Sequence, residues 1–290
     1  MVNGNLKISR SFRNTLKFHF SKIYKYIRLF RSKNITIPIL CYHSVSDCIN
    51  YEADSISISD FESHIKFLKE NYNVISLEKA SNFIENQKID IENPVVITFD
   101  DGYIDNYHSA FPILKNFNAH ATIFLVSNFI NNKIKLIDDK NFEPMSWEHI
   151  IEMDQSENIN FGAHSHNHPI LSSLDDDAVI DEISLSKKII EEKLQHPIKM
   201  FAYPNGQEAD IPSAAINYIN QNDFSLACST LWKTNHKFSE KYILSRVMIS
   251  GDDNLENLKS KVDGDYDFIY WIQKIKYLLS KVFHIRSDGY

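Results

Sequence analysis

Residues 95–102 read Val-Val-Ile-Thr-Phe-Asp-Asp-Gly, a largely apolar run that ends in two adjacent carboxylates and a glycine. Five consecutive β-branched and aromatic residues are typical of a short buried strand. Two charges directly after such a strand are costly unless a partner compensates them, and glycine allows the backbone to bend tightly there. The stretch therefore predicts a buried strand that delivers Asp100 and Asp101 to a turn.

The chain on either side repeats this alternation of short apolar runs and amphipathic segments. Runs rich in β-branched and aromatic residues predict strands at 36–42, 95–99, 121–126, 159–163, 200–203, 224–227 and 246–249. Helical periodicity and capping residues predict helices at 60–70, 107–116, 146–153 and 175–194. Residues 131–145 are predicted to form a polar loop. Strands that alternate with helices imply an α/β fold with a mainly parallel sheet, either doubly wound or closed as a barrel.

A second polar cluster follows another predicted strand. Residues 159–163 run directly into His164-Ser-His-Asn-His168. Reactive residues gather at the carboxyl ends of parallel strands, and neutral imidazole is the commonest protein ligand for zinc-like cations. If the segment turns helically, His164 and His168 lie together and His166 points elsewhere.

Asp101, His164 and His168 would supply three protein ligands and leave a coordination position open, as in catalytic metal sites. A cation held there lowers the pKa of bound water to roughly 7 and polarises a carbonyl, while Asp100 stays available as a base. Each half of the pattern has a plainer explanation, since aspartate often caps a helix after a strand and histidines can stand in a solvated loop. The two halves together favour the metal site.

These motifs resemble those of the polysaccharide deacetylases of carbohydrate esterase family 4, also called the NodB-homology family. Residues 98–102 match the first family motif, and residues 164–168 match the second. Residues 201–206, Phe-Ala-Tyr-Pro-Asn-Gly, match the third more loosely. The resemblance covers roughly residues 36–250.

The resemblance implies a distorted (β/α) barrel with about seven parallel strands. It implies metal-dependent hydrolysis of an N-acyl group, acetyl by expectation, on an amino sugar of a cell-surface glycan or its precursor. Asp100 would be the general base, and Asp101, His164 and His168 would be the metal ligands. Zinc is the expected cation because two ligands are histidines, although such a ligand set also accepts other first-row cations.

The chain departs from the family pattern at two positions. Ala202 stands where the third motif usually carries an arginine that holds the base, and Arg246 stands where the last motif usually ends in a histidine. The pair Tyr42-His43 resembles the opening of a subgroup with permuted motifs, the biofilm poly-N-acetylglucosamine deacetylases. His43 is therefore the expected general acid, and Arg246 is expected to orient Asp100. A buried structural histidine and a surface or salt-bridging arginine are the alternatives.

Aromatic residues beside the motifs suggest how a sugar could be held. Tyr103, Tyr203 and Trp147 are candidates to stack on a sugar ring, although each could equally be packing. A backbone N–H at Tyr103 or Tyr203 is a candidate to bind the developing oxyanion.

Composition limits the class of protein. The chain has 290 residues, is 43% hydrophobic and carries a net charge of -7, which is too apolar for a disordered chain and allows one large domain or two small ones. The acidic balance argues against a general nucleic-acid binder, and no apolar run of about 18 residues predicts a spanning helix. Three cysteines without a CxxC spacing indicate a reducing compartment rather than a disulfide framework.

Positive charge is concentrated at the start of the chain. Residues 1–36 hold nine basic groups and no acid, whereas the other 254 residues hold 22 basic and 38 acidic groups. An amphipathic helix is predicted from apolar residues at helical spacing: Phe12, Leu16, Phe20, Ile23, Ile27 and Phe30. Such a helix can lie on an anionic membrane surface or pack on the protein's own acidic body.

Three regions follow from these patterns. They are a basic leader at 1–35, a catalytic domain at 36–255 and an amphipathic helical tail at 256–290. The leader lacks the apolar core and cleavage site of a secretory signal. The expected location is therefore cytoplasmic, in peripheral contact with the inner membrane face through residues 1–35.

Two other functions remain open at this point. One is a deformylase or deacetylase of a lipid-linked or nucleotide-linked sugar, which the basic leader and the missing signal favour. The other is a non-catalytic relative that binds a metal or a glycan, because the third motif lacks its arginine at Ala202.

Overall fold

The computed structural model describes residues 10–29, 35–50 and 52–283, in which eight strands form one parallel sheet. The strands are β1 (Ile39–Tyr42), β2 (Asn73–Val74), β3 (Pro94–Phe99), β4 (Ala121–Leu125), β5 (Ile159–Ala163), β6 (Met200–Ala202), β7 (Leu226–Cys228) and β8 (Val247–Met248). Seven lie in the order β7-β6-β5-β4-β3-β1-β8, and β2 pairs with the first residues of β3. The α/β fold with about seven parallel strands is confirmed.

The helices pack around this sheet. They are α1 (Arg10–Leu29), α2 (Ile58–Asn71), α3 (Leu77–Glu85), α4 (Phe111–Asn116), α5 (Ser127–Ile130), α6 (Trp147–Asp154), α7 (Asp176–Leu194), α8 (Ser213–Gln221), α9 (Leu255–Val262) and α10 (Phe268–Phe283). A π-helical turn, Asn106–Ala110, precedes α4, and a short 3₁₀ turn, Leu171–Ser173, precedes α7.

The sheet curves into a distorted, nearly closed barrel. On one side β8 pairs with β1, where Leu40 lies opposite Val247. On the other side the segment that leads into β8 meets β7, because the Leu244 N–H donates to the Ala227 carbonyl at 2.8 Å and the Ser229 N–H donates to the Leu244 carbonyl at 2.7 Å. The first and last strands in sequence, β1 and β8, are therefore neighbours.

Burial of the strands explains why the sequence pattern located them well. Every residue of β1, β3 and β4 is buried, as expected for parallel strands covered on both faces. The seven predicted strands match β1 and β3–β8 within three residues at each end. The residues 131–145 predicted as a loop contain neither a helix nor a strand.

Capping residues fix the helix starts. The Ser146 hydroxyl accepts the N–H of His149, and the Asp175 carboxylate accepts the N–H of Ala178, so both residues are N-caps and α6 and α7 begin one residue later than predicted. The sequence did not predict α3, α5 or α8, and α9 falls at the start of the predicted helical tail. Leu258 of α9 is nevertheless buried in the main core, so this part of the predicted tail packs as part of the body.

Helices at both ends of the described chain match the predicted amphipathic segments. The leader forms α1, and the segment around Trp271 forms α10. The side chains of Phe12, Ile27 and Phe30 lie outside the described residues. Within residues 10–29, 35–50 and 52–283, no helix combines the length and the apolar character needed to cross a bilayer.

Candidate metal and catalytic centre

Three turns meet at the carboxyl edge of the sheet, each directly after a strand. β3 leads into Asp100 and Asp101, β5 leads into His164, and β1 leads into His43. Because the carboxyl ends of parallel strands share one edge, residues that are far apart in sequence become neighbours there.

The turn after β3 is held in an unusual backbone conformation. Asp101 has φ of +74° and Gly102 has φ of +88°, the left-handed region that glycine adopts most readily. A Cβ on Gly102 would also lie only 2.8 Å from Leu125 Cδ2. The glycine after the two aspartates is thus required both by backbone conformation and by space.

Asp101, His164 and His168 form a compact group of metal-ligand atoms. Asp101 Oδ1 lies 3.7 Å from His164 Nε2 and 3.7 Å from His168 Nε2. Ligand atoms bound to one tetrahedral zinc ion are about 3.3 Å apart, given zinc–ligand bonds of about 2.0–2.1 Å. Asp101 Oδ1 is buried, and no described residue hydrogen-bonds it. An unpaired buried carboxylate oxygen facing two imidazole nitrogens fits a divalent cation.

The orientation and the charge state of His164 both suit a metal ligand. His164 Nδ1 is 2.8 Å from the Ala202 carbonyl, which assigns the proton to Nδ1 and leaves the Nε2 lone pair towards Asp101. Burial lowers the pKa of His164 to about 4, even though Asp100 and Asp101 act in the opposite direction. The imidazole is therefore neutral at physiological pH, as a metal ligand must be.

The expectation that this segment turns helically is wrong. Ser165 has φ of +63° and His168 has φ of +58°, which no right-handed helix contains. The Ser165 hydroxyl accepts the His168 N–H at 3.0 Å and closes the loop, so the two rings approach to a centroid distance of 4.8 Å. His166 does point elsewhere, with its Nδ1 at 2.8 Å from the Ser127 hydroxyl.

Asp100 has a different partner from its neighbour. Arg246 binds it with both arms, Nη1 to Oδ1 at 2.6 Å and Nη2 to Oδ2 at 2.7 Å, and the Arg246 side chain is fully buried. The remaining arginine nitrogen donates to the Ser229 carbonyl at 3.1 Å. Burial alone would raise the pKa of Asp100, but the guanidinium more than offsets it, so that pKa lies well below its usual range.

His43 stands beside this ion pair. One of its ring nitrogens, one Asp100 carboxylate oxygen and the Cys41 sulfur all lie within 4.8 Å of one another. His43 Nδ1 is buried and has no hydrogen-bond partner among the described residues. His43 therefore lies beside the expected base with a ring nitrogen that no described residue hydrogen-bonds.

Comparison with known proteins agrees with these motifs. A family model described as polysaccharide deacetylase matches residues 88–226. YxkH of Bacillus subtilis (strain 168), which is named for the same family, is 33% identical over 221 residues, or 75% of this chain and 73% of the relative. The chain belongs to the polysaccharide deacetylase family. The enzyme is accordingly a hydrolase of carbon–nitrogen bonds other than peptide bonds.

More distant relatives of this polysaccharide deacetylase extend the comparison. The poly-beta-1,6-N-acetyl-D-glucosamine N-deacetylase of Staphylococcus aureus (strain N315) is 26% identical over 256 residues, covering 83% of this chain and 82% of the relative. The structure of IcaB from Ammonifex degensii superposes with a TM-score of 0.67 at 20% identity, over 80% of this chain and 97% of that one. The deacetylase PplD of Streptococcus pyogenes gives a TM-score of 0.69 at 24% identity, over 79% and 99%.

The deacetylase does not use its two motif tyrosines to stack on a sugar, and that expectation is wrong. Tyr103 is 1% exposed and packs edge-on against Phe129 and Phe142. Tyr203 is fully buried and donates its hydroxyl to the Tyr242 carbonyl. Neither ring has a free face for a ligand.

The two backbone N–H groups proposed for the oxyanion differ. The Tyr203 N–H donates to the Cys228 carbonyl at 3.0 Å, so it is already used and that expectation is also wrong. The Tyr103 N–H makes no hydrogen bond within the described part of the chain. Trp147, the third stacking candidate, is half-buried and donates to Asn131.

Two polar residues that the sequence analysis missed hold the His43 loop. The Asn106 side-chain amide donates to the His43 carbonyl at 2.7 Å. Asp105 accepts the N–H of Val45 and the hydroxyl of Ser44. Both residues follow the Asp-Asp-Gly turn and lie at the start of the π-helical turn. π-Helical turns are frequent at functional sites. The signal available in the sequence was two further polar residues close behind the motif.

We expect Asn106→Ala to lower kcat by roughly 10- to 100-fold, with little change in KM or metal content. The reason is that a shift of about 1 Å in a catalytic group costs up to about 100-fold in rate, while the substitution leaves the metal ligands in place. Steady-state kinetics and metal analysis on the same preparation measure this. Asn158→Ala is the matched control, because Asn158 is also buried and its amide donates to Asn118 away from the site. Equal kcat for both variants would contradict the role of Asn106.

Proposed function

We propose that the protein is a divalent-cation-dependent deacetylase that hydrolyses the N-acetyl amide of an amino sugar in a glycan or its precursor. One observation carries the proposal: the adjacent carboxylates are held differently. Asp101 presents an unpaired oxygen to His164 and His168. Asp100 Oδ2 also lies 3.7 Å from His164 Nε2, but both Asp100 oxygens are bound by Arg246. Hydrolysis of an amide needs both an electrophilic centre and an ionised base beside it, and this arrangement provides the two from one turn.

Asp101, His164 and His168 would hold the cation, with zinc the first choice for a set containing two imidazoles and other first-row cations compatible. When bound, the cation supplies Lewis acidity, which polarises the acyl carbonyl and acidifies water. The His168 side chain is 30% exposed, so the site is open to solvent and to substrate on that side.

The remaining steps belong to the protein's own residues. Asp100, kept ionised by Arg246, accepts a proton from the attacking water as its oxygen bonds to the acyl carbon. The Tyr103 backbone N–H donates to the oxygen that becomes negatively charged. His43 donates a proton to the nitrogen as the carbon–nitrogen bond breaks, because an amide nitrogen leaves poorly unless protonated. The products are acetate and a free amino sugar.

An amino-sugar polymer is the substrate class best supported by the relatives. The Staphylococcus aureus relative is named as an N-deacetylase of poly-beta-1,6-N-acetyl-D-glucosamine and aligns over four fifths of both chains. A lipid-linked sugar precursor presents the same N-acetyl group and remains a second candidate, favoured by the helices at the chain ends. The cytoplasmic location expected from the sequence stays a prediction.

We expect the purified protein to release acetate from oligomers of β-1,6-linked N-acetylglucosamine when supplied with zinc or cobalt. Because the cation provides the electrophile, removing it with a chelator should lower the rate by at least about 100-fold, and adding it back should restore activity. Enzymatic acetate detection and mass spectrometry of the oligomers measure this. Stoichiometric metal binding with no acetate release from any N-acetylated sugar would instead identify a non-catalytic relative.

A further inference from the structure

The apolar face of α1 is turned away from the body of the protein. Phe20 is 51% exposed and Ile23 is 59% exposed, and Leu16 and Tyr26 are exposed as well. The opposite side of the helix meets the body: Ser21 is fully buried, Lys22 pairs with Glu256, and Lys17 lies over the Trp232 ring. α1 therefore does pack on the acidic body, the alternative open from the sequence, but it does so mainly through its basic side and leaves most of its apolar side exposed.

α10 likewise turns a polar side towards the body and an apolar side towards solvent. Gln273 points towards the body, where its amide nitrogen donates to Gln207 and to the Thr230 carbonyl. Exposed apolar side chains occupy the outer side of the helix: Trp271, Ile272, Ile275, Leu278 and Leu279. In an isolated soluble protein the polar side of such a helix would normally face water.

The two helices meet at the start of α10. The ring of Phe268, at the start of α10, lies 6.3 Å from Phe20 and 5.8 Å from Tyr24 of α1. We call the exposed apolar side chains of α1 (Leu16, Phe20, Ile23 and Tyr26) and of α10 (Trp271, Ile272, Ile275, Leu278 and Leu279) the two-helix surface. So many exposed apolar side chains on two helices that touch mark an interaction site.

The charges beside the two-helix surface identify its partner. The sequences of α1 and α10 contain six and three basic residues, respectively, and no acidic residue. Lys22 pairs with Glu256 and Lys274 with Glu208 of the body, and Lys25 and Lys281 are not in an ion pair with a described residue. A second copy of the chain would bring like charges together, which disfavours self-association. An anionic membrane matches both properties, because the apolar side chains enter the boundary between headgroups and acyl chains while lysine and arginine attract the lipid charge.

We propose that the two-helix surface binds the protein peripherally to an anionic lipid surface. The proposal is independent of the deacetylase activity, although the surface borders the catalytic edge of the sheet. Gln273 of α10 bonds to Thr230, and the preceding residue, Ser229, accepts the Nε–H of Arg246. The body-facing side of α10 therefore lies beside the residues that follow β7 at the carboxyl edge of the sheet.

The test uses the full chain and vesicles of phosphatidylcholine with or without phosphatidylglycerol. We expect binding to the anionic vesicles only, weakened by salt, with a blue shift of Trp271 fluorescence that is absent in Trp271→Phe. Phe20→Ser/Ile23→Ser and Ile275→Ser/Leu278→Ser should each weaken binding at least tenfold. Phe238→Ser is the matched control, because Phe238 is 64% exposed and lies on neither helix.

Charge is tested separately with Lys25→Gln/Lys281→Gln against Lys66→Gln/Lys199→Gln, since the second pair lies outside α1 and α10. Only the first pair should weaken binding to anionic vesicles. Circular dichroism and acetate release from a soluble oligomer should be unchanged in all these variants, which separates membrane binding from folding and catalysis. The proposal is overturned if anionic vesicles are not bound. A concentration-dependent dimer that the apolar substitutions abolish also overturns it, because the surface would then be a contact between copies.

Discussion

Asn in place of Asp101 is expected to abolish metal binding and activity together, whereas Asn in place of Asp100, one residue earlier, should abolish activity and leave the metal bound. The two side chains have the same shape, are adjacent in sequence and both lie 3.7 Å from His164 Nε2, but only Asp100 is bound by Arg246. Asp101 Oδ1 lies 3.7 Å from both imidazole nitrogens, so losing its charge removes one of three ligands. Asp100 is bound at both oxygens by Arg246, so losing its charge removes the base.

The expected sizes follow from these roles. Loss of residues that merely support metal ligands costs about 10- to 100-fold in affinity, so loss of the Asp101 ligand should weaken metal binding by at least about 100-fold. Loss of a general base costs about 100- to 10,000-fold in rate, which is the range expected for Asp100→Asn. Isothermal titration with zinc and acetate release on the same samples measure both quantities.

His166→Ala is the control for this pair. It alters the same histidine motif, but His166 contacts Ser127 rather than the metal group, so metal affinity and activity should stay close to those of the parent. An Asp101→Asn protein that retains stoichiometric zinc would remove Asp101 from the site. An Asp100→Asn protein with normal turnover would show that the base is another residue.

Strand positions were predictable because burial on both faces leaves a simple pattern. The residues of β3 are all buried, so its sequence is continuously apolar until Asp100. Chemistry at strand ends then follows from topology, because β1, β3 and β5 are all parallel and their ends share one edge. The convergence of His43, Asp100 and His164 could therefore be anticipated before any coordinates existed.

Other features could not be predicted, because they depend on burial and on backbone conformation rather than on residue type. A tyrosine beside a motif has the same sequence signal whether it lines a groove or fills the core, and Tyr103 and Tyr203 fill the core. The His164–His168 spacing fits a helical turn, but two left-handed residues bring the rings together instead. Asn106 was missed because its hydrogen bond goes to a backbone carbonyl, which no pairing of side-chain types reveals.

Arg246→Met is expected to destabilise the fold as well as to inactivate the enzyme. Arg246 and Asp100 are both buried, and removing one partner of a buried ion pair leaves an uncompensated charge that costs about 3–5 kcal/mol. Without the guanidinium, the largest influence that lowers the pKa of Asp100 is lost and burial still raises it, so that pKa rises and the ionised base is less favoured than in the parent protein. Chemical denaturation and acetate release measure the two effects.

A double substitution separates stability from catalysis. Asp100→Asn/Arg246→Met removes both charges, so most of the lost stability should return, while activity should stay absent because the base is gone. Arg246→Lys is the milder variant if the single Met variant does not fold. Lysine keeps the positive charge but cannot form the bidentate pair with the carboxylate. We therefore expect a smaller loss of stability than for Arg246→Met, together with a large loss of activity.

The double-mutant cycle also tests which residue holds the base, Asp100, in a chain that lacks the usual third-motif arginine. Ala202 occupies that position, and the guanidinium arrives instead from the segment beside β8, which lies next to β1 only because the barrel nearly closes. If the coupling between Asp100 and Arg246 is large, the arginine has moved along the chain while its contact with the base was kept. If Arg246→Met unfolds at the same denaturant concentration as the parent and retains turnover, the base is held by another group. The missing motif arginine would then have been replaced by a group other than Arg246.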